Sequence, residues 1–378
     1  MPGRRQGRHP GAWIEGNACP LDEAIEVAAC RLRGSRQVVF AGLGCDIEGV
    51  RAVVRLARRT GGAIDHLGGT GYAFDLEVMR DAGLFLTTPG EAKARADTLF
   101  IVGPRAFATE PDLLQRLLEA APMLAGTEAP RRVAWLGGKL GRVIGPTSVE
   151  ITSIGVPAAA IGPTLAALRA RLAGRPIGSA PLPARRLDSI VEALRHARFG
   201  VAIWSCADLD LLTIDTLAGL VADLNHMTRF SCLPVAPPDN GAGVAMAMTW
   251  LTGFPSNIGF ARGEVDHDPW RFDAARLARS GEVDLALWIS AYRDTWPDWA
   301  SEVPVIALTS RDSTREERRA SIEIEVGRPG ADHDTVDLSA ATGSLAFRAA
   351  SAPDDTPSVA EIIGAIQAAH HRAGEVGR

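Results

Sequence analysis

The chain has 378 residues, 46% hydrophobic and 22% charged, the balance of an ordinary globular protein long enough to bury a large core. A formal net charge of −5, with acids and bases interspersed, argues against nucleic-acid binding. Apolar runs such as Val244–Met248 fall far short of the roughly 20 residues of a membrane span, and no apolar segment follows the basic start (Arg4, Arg5, Arg8), so no secretory signal is expected.

In chain order, a basic tail over 1–11 is expected to be disordered. Leu21, Ala24, Ile25, Ala28, Ala29 and Leu32 recur at helical spacing and predict an amphipathic helix over Leu21–Arg33. Gln37–Phe40 is a short β-branched run ending at Gly42, the pattern of a buried parallel strand. Val50, Val53, Val54 and Ala57 give a second helix, closed by Gly61-Gly62. Ala63-Ile64, Thr98–Val102 and Arg132–Leu136 read as further strands, with a helix around Asp75–Asp81. This β-α-β-α-β alternation calls for a parallel sheet covered on both faces. Gly174–Arg185, rich in Pro and Gly, is the expected linker between a first α/β half (12–173) and a second (186–378). After it the pattern restarts. A helix carries Leu187, Ile190, Val191 and Leu194, followed by a strand over Phe199–Trp204 and a helix through Ile214–Leu224. Strands are expected at Phe230–Val235, Asp284–Ile289, Val303–Leu308 and around Ile322, Ile324 and Val326, and a final helix carries Val359, Ile362, Ile363 and Ile366.

Chemistry-bearing motifs are sparse. Gly42 and Gly44 form a Gly turn between strand and helix, and Asp65 ends the next strand, the layout of a dinucleotide site. Ile47 replaces the third glycine of that fingerprint, so Gly42 and Gly44 remain weak cofactor-binding candidates. Asp266-His267-Asp268 and Asp332-His333-Asp334 lack metal-ligand spacing and read as solvated loop charge, and His66, His196 and His226 as isolated surface or core histidines. Leu251–His267, rich in Gly, Asn and aromatics, has the composition of a binding loop or an inter-subunit contact. Five cysteines (Cys19, Cys30, Cys45, Cys206, Cys232) are odd in number and widely spaced. They fit small core residues in a reducing, cytoplasmic compartment better than disulfides or a zinc ribbon. No catalytic residue and no metal ligand is assigned.

Several collinear segments resemble the B subunit of formylmethanofuran dehydrogenase, which carries a molybdopterin or tungstopterin. They are Ala12–Gly16 with Leu21–Ala24, Arg58–Asp65, Gly90–Asp97, Leu251–Pro255 and Phe260–Gly263. The resemblance implies stacked, doubly wound parallel-sheet α/β domains like those of molybdopterin oxidoreductases. It also implies two departures. The cysteine set for a [4Fe–4S] cluster is missing from the N-terminus, where only Cys19 and Cys30 stand. The family's metal-ligating Cys-His pair corresponds to Gly71-Tyr72, leaving a vestigial cleft. Both cofactors and the iron–sulfur domain are therefore expected to be lost.

A relative that fits this state is the B-type subunit of a bacterial formyltransferase/hydrolase complex, which passes a formyl group to a methanofuran-type carrier and releases formate in tetrahydromethanopterin-linked one-carbon metabolism. The expectation is a non-catalytic scaffold. Its partners would be an amidohydrolase-like subunit, a formyltransferase subunit, a further subunit and the methanofuran-type carrier, with neither nucleic acid nor membrane involved. The alternatives are an active molybdopterin dehydrogenase subunit and a stand-alone nucleotide-binding enzyme.

Overall fold

The computed structural model describes residues 11–119, 131–138, 149–310, 320–339 and 342–376. The expected disordered tail lies, except for Gly11, outside the described residues. Strands β1 (Ala12–Ile14) and β2 (Asn17–Ala18) precede helix α1 (Leu21–Gly34). β3 (Val38–Gly44), α2 (Ile47–Thr60), β4 (Ala63–Ile64) and α3 (Gly69–Asp81) follow. Next come α4 (Pro89–Arg95), β5 (Thr98–Val102), α5 (Pro111–Leu118), β6 (Arg131–Leu136) and β7 (Val149–Ile154). Helices α6 (Ile161–Leu172) and α7 (Ala184–Arg195) lead to β8 (Gly200–Ser205), α8 (Leu211–Leu224) and β9 (Phe230–Val235). Then come α9 (Gly241–Thr252), β10 (Ile258–Gly259), β11 (Asp266–His267) and α10 (Ala274–Arg279). The chain closes with β12 (Leu285–Ser290), β13 (Val305–Ser310), β14 (Ile322–Val326), a two-stranded sheet of β15 (Thr335–Ser339) and β16 (Ser344–Arg348), and α11 (Val359–Val376).

The described residues of Met1–Gly69, Pro238–Leu338 and Leu345–Arg378 make one compact unit. Its sheet runs β11-β10-β4-β3-β12-β13-β14-β1-β2, and the five central strands, β4 through β14, are parallel. These strands are buried on both faces, so they read as continuous apolar runs rather than alternating ones. One face is covered by α1, α2, α9 and α11, the other by α10 and the Trp288–Trp299 edge-to-face pair. Helix α2 shows the local logic. Asp46 caps it by accepting from the Gly49 amide at 2.9 Å, and Gly61 ends it in the left-handed region that a side chain would strain.

The second unit takes the described residues of Thr70–Pro237 and Ser339–Ser344. Its five strands are all parallel in the order β7-β6-β5-β8-β9. Helices α6, α7 and α8 cover one face and α4 and α5 the other. Trp204, Phe100 and Phe230 are fully enclosed, each burial contributing on the order of 2–3 kcal/mol.

The expected division into halves 12–173 and 186–378 does not hold. β3 needs β12 as a neighbour and β5 needs β8, so both units draw strands from both halves. The expected linker over 174–185 joins α6 to α7 inside the second unit. Ile177, Ala180 and Leu182 pack against that unit's core, so the Pro and Gly mark a helix–helix connection. Among the described residues, no helix is long and apolar enough to cross a membrane.

Candidate functional site

In open parallel sheets, ligands bind beyond the carboxyl ends of the strands where the winding direction reverses. Each unit has one such point: between β3 and β12 in the first, and between β5 and β8 in the second.

In the first unit, the Gly turn serves the sheet. Gly42 (φ +81°) and Leu43 (φ +50°) together oppose Ile289, because the register passes from Ala41↔Trp288 to Gly44↔Ser290. That two-to-one pairing is a β-bulge. A Cβ on Gly42 would lie 2.6 Å from the Ile289 carbonyl oxygen, which explains the glycine without a ligand. The α2 N-terminus, where a phosphate would sit, already holds the Asp46 carboxylate, whose pKa burial raises. Asp239 packs over Gly44 and pairs with Arg293 at 2.7 Å. Asn240 donates to the Cys45 carbonyl at 3.0 Å and accepts from the Leu338 amide at 2.9 Å. Asp239 and Asn240 both adopt positive φ (57° and 63°), a strain offset by these side-chain bonds. Tyr292 donates to Asp337 at 3.2 Å, and burial drives its phenol upward. Asp46, Asp239 and Asp337 gather here, Asp239 paired with Arg293 and Asp337 with Arg348.

Asp65 is likewise committed. One carboxylate oxygen accepts from the His66 amide (2.6 Å), Asn257 Nδ2 (3.0 Å) and Ser256 Oγ (3.4 Å), the other from the Ala274 amide (2.9 Å). Burial still pushes its pKa up to about 6. It therefore staples Leu251–His267 and the start of α10 to the end of β4, a buried structural role that its four hydrogen bonds account for without a ribose. Within that loop, β10 pairs with β4 and His267 stacks on Phe254 at 4.7 Å. His66 is buried with both ring nitrogens unpartnered, and burial lowers its pKa to about 4. It is a core histidine, and the backbone of Gly241 lies near enough to oppose that lowering in part. His196 and His226 are exposed.

In the second unit, Gly71 lies in the first turn of α3 against the end of β8. A Cβ there would meet the Cys206 carbonyl oxygen at 2.4 Å. Tyr72 is partly buried and its phenol is pushed up to about 12, by burial first and then by Asp75 and Cys206. One turn on, Asp75 accepts from Trp204 Nε1 at 2.7 Å while its second oxygen has no partner. Beyond β5, Asp208 accepts from the Arg105 amide at 2.7 Å and from its Nε at 3.3 Å. The same carboxylate lies 2.4 Å from where a Gly103 Cβ (φ +104°) would be. Sequence reasoning missed Asp208, Asp239 and Asn240. The Pro-Pro-Asp-Asn-Gly turn at 237–241 and the acid shortly after β8 were the available signals.

The carboxylates of the two His/carboxylate triplets are solvent-facing, as expected, and locally bonded, except for Asp332, which is buried. Asp332 is buried and accepts from the Arg328 amide at 2.8 Å, and Asp334 accepts from the Ala350 amide at 2.8 Å. Asp266 pairs with Arg271 at 2.8 Å, and Asp268 accepts from the Trp270 and Arg271 amides. Among the described residues, no group of three His, Cys, Asp or Glu is placed to hold a metal ion. Cys45, Cys206 and Cys232 are buried as expected, but Cys30 is exposed and Cys19 only half-buried.

At the position where the family resemblance implies a thiolate ligand for a pterin-bound molybdenum or tungsten, glycine offers none, and a Cβ there would lie 2.4 Å from the Cys206 carbonyl oxygen, so the residue at 71 does not fit that role.

No protein-family model matches the chain. It is 33% identical over 356 residues to the B subunit of the formyltransferase/hydrolase complex Fhc of Methylorubrum extorquens, covering 93% of this chain and 94% of that one. It is 27% identical over 250 residues to the B subunit of the tungsten-containing formylmethanofuran dehydrogenase 2 of Methanocaldococcus jannaschii, 63% of this chain and 56% of that one. A chain in the crystal structure of the Methylorubrum extorquens formyltransferase/hydrolase complex (FhcABCD), solved with methylofuran, superposes with a TM-score of 0.86 at 31% identity, covering 96% of this chain and 99% of that one.

Proposed function

The chain belongs to the family of formyltransferase/hydrolase complex B subunits, and from that premise we propose that it is the cofactor-free scaffold of such a complex. The carrying observation is the close approach of Gly71 to the Cys206 carbonyl, which leaves no room for the ligand a metallopterin would need. Two further features support it. Asp208 with Arg105 occupies the end of the second sheet, and Asp46, Asp239 and Asn240 occupy the end of the first. The chain holds the other subunits of the complex, an amidohydrolase-like hydrolase and a formyltransferase among them, and leaves formyl transfer to the methanofuran-type carrier and formate release to them. It works in the cytoplasm.

The test is capture of the tagged native chain from its own organism. Co-elution of the other subunits with formyl-hydrolase activity supports the proposal. A stable lone chain with redox activity of its own refutes it.

A further inference from the structure

The chain has four asparagines, Asn17, Asn225, Asn240 and Asn257, and only Asn240 is followed by glycine. An asparagine loses its carboxamide through attack by the next residue's main-chain nitrogen. Glycine has no side chain to hinder that attack and the widest backbone freedom to reach it. At this dipeptide the Gly241 nitrogen would give up its proton and bond to Asn240 Cγ. The Cγ–Nδ2 bond would break, and ammonia would leave with that proton, closing a five-membered succinimide. Solvent water would then open the ring, giving aspartate by attack at the side-chain carbonyl or isoaspartate by attack at the main-chain carbonyl.

In the folded first unit the reacting groups are held. Asn240 Nδ2 donates to the Cys45 carbonyl at 3.0 Å, and Oδ1 accepts from the Leu338 amide at 2.9 Å. The Gly241 amide, the nucleophile, donates to the Pro238 carbonyl at 3.0 Å. The Asn240 backbone stands at φ 63°, ψ 22°, and its carbonyl accepts from the Val244 amide at 2.8 Å, starting α9. Gly243 leaves room for the carboxamide, since a Cβ there would lie 2.1 Å from Oδ1. Attack has to release nucleophile and carboxamide together, so it waits on opening of this segment. The same bonds tie the residue after β3, the start of α9 and β15. A carboxylate at 240 has no proton for the Cys45 carbonyl and stands beside the buried Asp239 side chain. Isoaspartate also adds a methylene to the main chain, which displaces the bonds of Gly241 and Val244.

We propose that Asn240-Gly241 is a self-modification site which the fold protects, and that deamidation there makes opening of the first unit irreversible. It requires only solvent water, and it stands apart from the scaffold reading. A chain that stays folded keeps its carboxamide. A chain that opens for long loses it, together with the staple between Cys45, α9 and Leu338.

The experiment incubates the full-length chain, purified with whatever subunits accompany it, in one mildly alkaline buffer with and without denaturing urea. Peptide mass spectrometry and an isoaspartate assay follow each asparagine with time. Asn240 is expected to deamidate about tenfold or more faster in urea than in the folded chain, and ahead of Asn17, Asn225 and Asn257 in urea. Gly241→Ala, compared in urea where its effect on folding is irrelevant, should slow the reaction at Asn240 about tenfold or more. Asn240→Asp, which carries the product carboxylate, should melt below wild type. Equal rates at Asn240 in the folded and the urea-treated chain overturn the protection. Another asparagine outpacing Asn240 in urea, or no slowing by Gly241→Ala, overturns the site. An Asn240→Asp chain that melts with wild type overturns the irreversible loss.

Discussion

Asp75 lets the packing of α3 on β8 be tested by titration. Its carboxyl is 3% exposed, and burial pushes its pKa from the usual 3.8 up to about 7, while the Trp204 hydrogen bond pulls the other way. The titratable groups around it are Tyr72, Cys206 and Cys232, none of them a cation near neutrality. The folded chain therefore holds this proton more tightly than the unfolded chain. Below about pH 4 both states are protonated and the group makes no difference. Between about pH 4 and 7 only the folded state is protonated, so stability falls as pH rises; above 7 the loss is complete. Three pKa units correspond to about 4 kcal/mol. Asp75→Asn keeps an acceptor for Trp204 and cannot ionise. Its amide donors replace the unpartnered oxygen at a pH-independent cost of about 1–3 kcal/mol. Urea unfolding followed by circular dichroism at pH 4, 6 and 8 should show the variant gaining about 4 kcal/mol on wild type across the series. A wild-type-minus-variant difference that is flat with pH would refute the buried, unpaired placement of this carboxyl.

Gly71→Cys should not recruit molybdenum or tungsten, and should lower stability by about 1–3 kcal/mol through overpacking against Cys206, read by metal analysis and melting. Gly42→Ala should cost at least about 1 kcal/mol in denaturant unfolding, since it combines a positive φ with a 2.6 Å approach to the Ile289 carbonyl. Asp65→Ala should cost about 3 kcal/mol or more, because four donors lose their acceptor, while calorimetry should find no NADH binding in wild type to be lost.

Strands buried on both faces were legible as continuous apolar runs, so β3, β5, β8, β9, β12 and β13 are found within about two residues of their expected places, the margin at which strand ends fray. Helix α9, Gly241–Thr252, left no periodic signal because it is apolar nearly all round. β1, β2, β10 and β11 are two- or three-residue pieces whose pairing is set by distant partners, such as Ala12 with Ile324. The interleaving of units was hidden for the same reason: β3 and β12 are about 240 residues apart, and no local pattern encodes that pairing. At the candidate site, Gly42 and Asp65 were visible as residue types, but their roles depend on Ile289, Asn257 and Ala274, which only folding brings near.

The central claim, a subunit that keeps the fold of a metallopterin protein without its cofactor, is tested most directly by metal analysis of the assembled complex purified through this chain. The account predicts active formyl hydrolysis with molybdenum and tungsten far below one atom per chain. Either metal in stoichiometric amount, retained after gel filtration, would contradict it.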